Sequence, residues 1–251
     1  MALRWKTAWI TGASTGIGRE LALALARNGV RVVATARGAD RLDELRAIEP
    51  SIIAVSADVA DRGSLKTAYD RAIGQLGAID LAILNAGIWE VMGAQDFSAA
   101  RAAHSMSVNY LGIANCLELL IPPMIARSGG HIALVASVAG YRGLPKAAAY
   151  APSKAAVISL AEVLRPHLES QGVSVSLINP GFVETPMTAV NKFPMPFMVK
   201  ADDAARRIVK GLDAGRFEIA FPWQLVWPLK LGRILPYGLY FWLTRRMLKK
   251  R

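Results

Sequence analysis

This sequence predicts a doubly wound α/β fold. A parallel sheet of about seven strands would carry helices on both faces and continue into a helical C-terminal extension. Three observations carry the prediction. Short apolar runs alternate with helical stretches six times, joined by short links. A glycine-rich turn, Gly12-Ala-Ser-Thr-Gly16-Ile-Gly18, joins the first run to the first helix. Residues with useful chemistry fall at the carboxyl ends of successive runs, where ligands collect in such a sheet. At 251 residues, 53% of them hydrophobic, the chain suits one large core, and residues 1–221 read as a single domain with 222–251 as an extension.

The first strand is Thr7–Thr11, and the apolar helical stretch Leu21–Ala26 ends at Asn28-Gly29. A glycine turn running from a strand into a helix N-terminus presents free backbone N–H groups and the positive dipole end to an anion. Gly12, Ser14, Thr15, Gly16, Ile17 and Gly18 therefore read as a phosphate cradle. Gly12 allows the turn, Gly16 lets a pyrophosphate approach the backbone, and Gly18 lets the helix pack on the strand. The second strand, Arg31–Thr35, ends at Ala36-Arg37. An acid there would hold a ribose 2′-hydroxyl, whereas an arginine accommodates a 2′-phosphate, so the pair points to NADP(H).

A short helix at Arg41–Ile48 leads to a third strand, Ser51–Ser56, followed by Ala57-Asp58-Val59. Asp58 and Val59 lie over the predicted crevice, where Asp58 either accepts from adenine or serves the start of the helix Asp61–Gly77. The fourth strand, Ile79–Leu84, ends in Asn85-Ala86-Gly87, small enough to let backbone lie close to a cofactor. A long helix from Ser98 to about Arg127 contains Asn109, a poor helix former, and is expected to break late at Pro122-Pro123. The fifth strand, His131–Ala136, delivers Ser137. The sixth, Val173–Ile178, delivers Asn179-Pro180-Gly181. An irregular stretch from Phe182 to Val199 then holds three Met and three Phe, either a lid over a lipophilic substrate or a small local core.

Tyr150 and Lys154 open the helix that runs to about Gln171. At i and i+4 they share one face, and an ammonium that close would pull a phenol's pKa down towards neutrality, making it usable as an acid or base.

These motifs, in this order and spacing, resemble the short-chain dehydrogenase/reductases of about 250 residues, which have a Rossmann-type domain. The resemblance covers Thr7 to about Thr188 and rests on Thr11–Gly18, Asn85-Ala-Gly87, Asn109, Ser137, Tyr150-x-x-x-Lys154 and Pro180-Gly181. It implies a catalytic tetrad. Tyr150 would pass a proton to or from the substrate oxygen, and Ser137 would hydrogen-bond that oxygen. Lys154 would bind the nicotinamide ribose and lower the Tyr150 pKa, while Asn109 would hold a relay water. It further implies that Asp58 meets adenine, that Asn85 lies near a cofactor ribose, and that Gly181, Val183 and Thr185 meet the carboxamide end. A homo-oligomer and a small carbonyl or alcohol substrate are the expected partners. The rival is a non-catalytic NADP(H) sensor that contacts a membrane or a partner through its tail.

The single cysteine, Cys116, excludes an internal disulfide and fits a reducing, cytoplasmic compartment. No cleavable signal is expected, because Met1–Lys6 leads straight into a strand. His104, His131 and His167 lack metal-ligand spacing, so no metal is expected. The net charge is +11, and residues 222–251 hold seven Lys or Arg and no acid among Trp, Tyr and Leu. That pattern argues against nucleic acid and suits one or two amphipathic helices that meet a membrane surface peripherally, form a subunit interface or cap the crevice.

Overall fold

The computed structural model describes residues 3–191 and 193–249. Lys192, within the 182–199 stretch, and the last two residues of the extension lie outside them. Seven strands form one parallel sheet: β1 (Thr7–Thr11), β2 (Arg31–Ala36), β3 (Ile53–Ser56), β4 (Leu81–Leu84), β5 (His131–Val135), β6 (Ser174–Pro180) and, further along the chain, β9 (Glu218–Phe221). Their spatial order is β3-β2-β1-β4-β5-β6-β9. The chain winds outward from β1 to β3, then crosses to β4 on the other side of β1. That reversal leaves a crevice above the carboxyl ends of β1 and β4, the switch point of a doubly wound sheet.

The strands read as continuous apolar runs because both faces of the sheet are covered. Successive residues point to opposite faces, so Trp9 and Val33 enter one core while Ala8, Ile10, Val32 and Ala34 enter the other. The first core is closed by α3 (Arg62–Leu76), α5 (Gly112–Ala126) and α6 (Tyr150–Glu169), the second by α1 (Gly16–Arg27), α2 (Ala39–Ile48) and α8 (Ala201–Asp213). Leu21, Leu25, Leu65 and Ile83 are all fully buried, each worth about 2 kcal/mol of transfer free energy. Asp61, rather than Asp58, caps α3, accepting from the Gly63 and Ser64 amides. His131 is structural: its ring packs at a tilt against Trp5 and bonds Arg4 and Ser176. Burial, helped by the Arg4 cation, pushes its pKa down to about 3.

Three local features differ from the sequence expectation. Pro122 and Pro123 do not break the helix, which continues to Ala126. Both prolines face solvent, where water serves the carbonyls they leave unpaired. The distortion falls earlier instead: α4 (Ala99–Met106) passes into a π-helical turn, Ser107–Leu111, centred on Asn109, before α5 resumes. The 182–199 stretch is ordered into a small parallel pair, β7 (Val183–Glu184) with β8 (Val199–Lys200), and a turn of helix, α7 (Pro186–Ala189). Val183 and Val199 belong to the core, whereas Met187, Val190, Phe197 and Met198 are exposed. Its buried valines thus join the second core of the domain. The extension folds as two helices, α9 (Trp223–Ile234) and α10 (Tyr237–Lys249).

Candidate active site

A cleft of about 440 Å³ lies over the switch point. Its floor begins at the glycine turn. Gly12 and Gly16 both have positive φ, +66° and +55°, a conformation that L side chains rarely adopt. A Cβ on Gly12 would stand 2.7 Å from the Ala86 Cα, and one on Gly16 would stand 2.8 Å from the Thr185 side chain. The turn is therefore pressed between the β4 and β6 loops. At the N-cap of α1, Thr15 makes no side-chain capping bond, so the first-turn N–H groups of that helix face the cleft without a capping partner. Such a site is built for an anion.

Gly18 was expected to touch the cofactor, yet it does not line the cleft. A Cβ there would lie 2.3 Å from the Gly12 carbonyl oxygen and 2.5 Å from the Asn85 amide nitrogen. Its role is packing beneath the turn. Asn85 lines the cleft, but its side-chain amide donates to the Thr11 and Gly12 carbonyls at 3.1 and 3.0 Å. It holds the turn in shape.

At one end of the cleft stand Arg37, Arg41 and Asp58. The Arg37 guanidinium is 3.9 Å from the Asp58 carboxylate, both well exposed, a weak pairing that leaves the cation available. Asp58 also accepts from the Ala60 amide at 2.9 Å. Arg41, in the first turn of α2, supplies a second cation that the sequence reading passed over. The signal was there: it lies in the first turn of the helix that follows Arg37.

At the other end, Ser137, Tyr150 and Lys154 come together from β5 and α6. Gly140 makes this possible, since a Cβ there would lie 2.7 Å from the Lys154 main chain. The 3-10 turn after Ser137 thereby packs tightly on α6. The Ser137 hydroxyl accepts from the Ala139 amide and donates to the Pro180 carbonyl at 3.3 Å. Lys154 is buried, its ammonium donating to the Val135 carbonyl at 2.8 Å and standing 5.7 Å from the centre of the Tyr150 ring.

The electrostatics correct the expectation for this pair. In the protein alone, burial pushes the Tyr150 phenol up to about 12, with the Ser137 hydroxyl pulling the other way. Burial also pushes Lys154 down to about 8. The amine turns to the Val135 carbonyl, and desolvation outweighs its attraction for the phenolate.

Asn109 lies under the cleft, fully buried. Its side-chain oxygen accepts from the Ile88 amide at 2.7 Å, and its amide nitrogen donates to the Ile88 carbonyl, Ser105 and Ser153. All of these bonds are to protein and hold Asn109 in place under the cleft. Val59, Ala86, Gly87, Pro180, Gly181, Val183 and Thr185 line the cleft as expected, with Ser14 and Ile17. Thr185 additionally caps α7, accepting from the Thr188 amide.

A profile of the short chain dehydrogenase family matches residues 6–193. The chain belongs to that family. Within it, the chain is 38% identical over 249 residues to an uncharacterized oxidoreductase of Myxococcus xanthus, covering 98% of each. It is 30% identical to a 3-oxoacyl-(acyl-carrier-protein) reductase of Thermotoga maritima, across 83% of this chain and 91% of that one. Among solved structures it resembles a short chain dehydrogenase/reductase of Burkholderia phymatum in complex with NAD. The TM-score is 0.83 at 27% identity, over 92% of this chain and 94% of that one. As a short-chain dehydrogenase the protein is an oxidoreductase with a Rossmann-type fold, and its cofactor is a nicotinamide dinucleotide.

Sequence reasoning missed Trp89, two residues past Gly87 and carrying no motif. Its ring meets Tyr150 edge-on at 4.9 Å, and its indole N–H donates to Asn191 at 2.8 Å. It links the phenol to the stretch that follows β6.

Proposed function

We propose that this protein is an NADP(H)-dependent oxidoreductase that interconverts a lipophilic carbonyl compound and its secondary alcohol. The observation that carries the reading is the convergence of Ser137, Tyr150 and Lys154 on one end of a cleft whose other end holds two arginines. The dinucleotide fits this cleft. Gly12 to Ile17 and the α1 N-terminus would hold the pyrophosphate, Asp58 and Val59 the adenine, and Arg37 with Arg41 a 2′-phosphate. Asn85-Ala86-Gly87 and Pro180, Gly181, Val183 and Thr185 would flank the ribose and nicotinamide. When bound, the cofactor supplies or accepts the hydride.

The chain's own residues handle the proton. With its pKa near 12, Tyr150 stays protonated at neutral pH and holds the proton that a reduced carbonyl oxygen takes up. Ser137 donates to that oxygen and orients it. Lys154, near 8, exchanges protons readily at neutral pH and restores the phenol. Asn109 fixes the Gly87-Ile88 backbone beside Lys154. Met187 and Trp89 make the substrate end apolar. The expected setting is cytoplasmic, as a homo-oligomer. Tyr150→Phe should abolish carbonyl-dependent NADPH oxidation while NADPH still binds, as followed by its fluorescence. Full turnover in that variant would sink the assignment.

A further inference from the structure

Eleven of the twenty large apolar side chains exposed among the described residues fall within the extension, and four more lie in the 182–199 stretch. The eleven within one 30-residue extension mark a contact. On α9 the distribution is one-sided. Trp223, Trp227, Leu231 and Ile234, 58–78% exposed, recur at intervals of four, four and three, a single stripe along the helix. The opposite side packs inward through Val226 and Leu229. Among the described side chains of α10 only Tyr240 is buried, and Phe241, Trp242, Leu243, Met247 and Leu248 face out.

The helices are fastened at the mouth of the cleft. Leu225 reaches to 2.9 Å from where a Gly181 Cβ would stand, and Gly181 lines the cleft. Arg142 donates to the Gly232 carbonyl and, at 2.9 Å, to the Leu235 carbonyl, and it lies 3.8 Å over the Tyr240 ring. The Tyr240 hydroxyl donates to the Gly143 carbonyl. Lys230 pairs with Glu218, which also accepts from Tyr141. Tyr141, Arg142 and Gly143 belong to the segment between Ser137 and Tyr150.

The charge selects the occupant. With Lys230 paired, Arg233, Arg245 and Arg246 are exposed and meet no carboxylate among the described residues. A second copy docked on the same patch by a two-fold axis would bring these cations against their own counterparts. An anionic bilayer brings opposite charge to the arginines and hydrocarbon to the Trp-Leu-Ile stripe. At 12 and 13 residues, the helices are about 20 Å long and too short to cross a bilayer of about 30 Å, so they lie in its plane.

We propose that α9 and α10 dock this protein on an anionic lipid surface and hold the mouth of the cleft there, so that its carbonyl substrate arrives from the lipid. The source of the substrate rests on the reductase reading above; the docking does not.

The test is co-flotation of the full chain with phosphatidylcholine vesicles, with and without phosphatidylglycerol. The chain should bind only the anionic vesicles. Trp227→Asp with Leu231→Asp, both outside the packed side of α9, should weaken binding tenfold or more. Arg245→Gln with Arg246→Gln should weaken it about thirtyfold, at the roughly tenfold per 1.4 kcal/mol that about 1 kcal/mol per surface cation implies. The double Asp variant should keep turnover of a short water-soluble ketone and lose turnover of a long-chain ketone dissolved in the vesicles. Failure of the wild type to float with anionic vesicles overturns the docking. So does a double Asp variant that drops to a smaller assembly without lipid, which would mark the stripe as a subunit interface. Vesicle binding without reduction of any ketone would instead overturn the reductase reading alone.

Discussion

Replacing Lys154 by Met should make the protein more stable at neutral pH while removing its activity. Burial takes the lysine from an ordinary value near 10.5 to about 8, so the fold holds the ammonium less well than water does. At 1.36 kcal/mol per pH unit, that gap is worth about 3 kcal/mol below pH 8. Methionine has similar length and no charge. It forfeits the bond to the Val135 carbonyl, a loss of about 1 kcal/mol. The variant should therefore be more stable by about 2 kcal/mol at pH 7. The sign reverses the usual pattern for a paired lysine. Because the folded value lies below the unfolded one, the unfolded chain binds more protons between about pH 8 and 10.5. The wild type therefore gains stability as pH rises through that window. By pH 10 the advantage of the variant should shrink to about zero. Urea unfolding of both proteins at pH 7 and pH 10 measures the difference. Tyr150 and Cys116, whose pKa values burial raises to about 12, contribute to both proteins and cancel. A stability gap that does not change with pH, or a less stable variant at pH 7, would show that the amine is not desolvated as described. Carbonyl reduction by the variant should fall by about two to four orders of magnitude.

Arg37→Ala should weaken NADPH binding about tenfold or more, the scale of a charge-assisted hydrogen bond, and leave NADH nearly unchanged; equal losses by titration would separate Arg37 from the 2′-phosphate. Gly18→Ala places a methyl 2.3 Å from the Gly12 carbonyl, so it should cost about 3 kcal/mol in urea unfolding and weaken both dinucleotides alike. Unperturbed stability would mean that the turn can shift aside. Trp89→Phe keeps an aromatic edge on Tyr150 but drops the bond to Asn191. It should lower kcat/KM about fivefold, the effect of about 1 kcal/mol, and an unchanged value would rule out that bond as a tether for the 182–199 stretch.

Most of the fold was legible because its signals are local. Apolar runs with turn residues between them gave the strands to within a few residues. The Gly12–Gly18 turn depends on neighbours within a few residues. The cleft gathered residues from Gly12 to Thr185 because a doubly wound sheet brings its strand ends to one edge. Illegible features had the opposite character. The π-helical turn at Asn109 answers to Ile88 and Ser153, distant partners that no spacing announces. Trp89 meets Asn191 across 102 residues and leaves no trace in either neighbourhood.

The sequence by itself determined the alternation, the anion cradle, the placement of Ser137, Tyr150 and Lys154 on one edge, and the basic apolar character of residues 222–251. Periodicity, turn chemistry and composition are properties of short stretches, and they survive without the rest of the chain. Tertiary structure alone decided which way the Lys154 amine turns, how far Tyr150 is desolvated and which side of α9 faces outward. A pKa depends on everything that excludes water from a group, and an outward face depends on what has already packed against the other side. The Tyr150–Lys154 pair shows the division most clearly: its spacing promised a lowered phenol pKa, and its burial raised it.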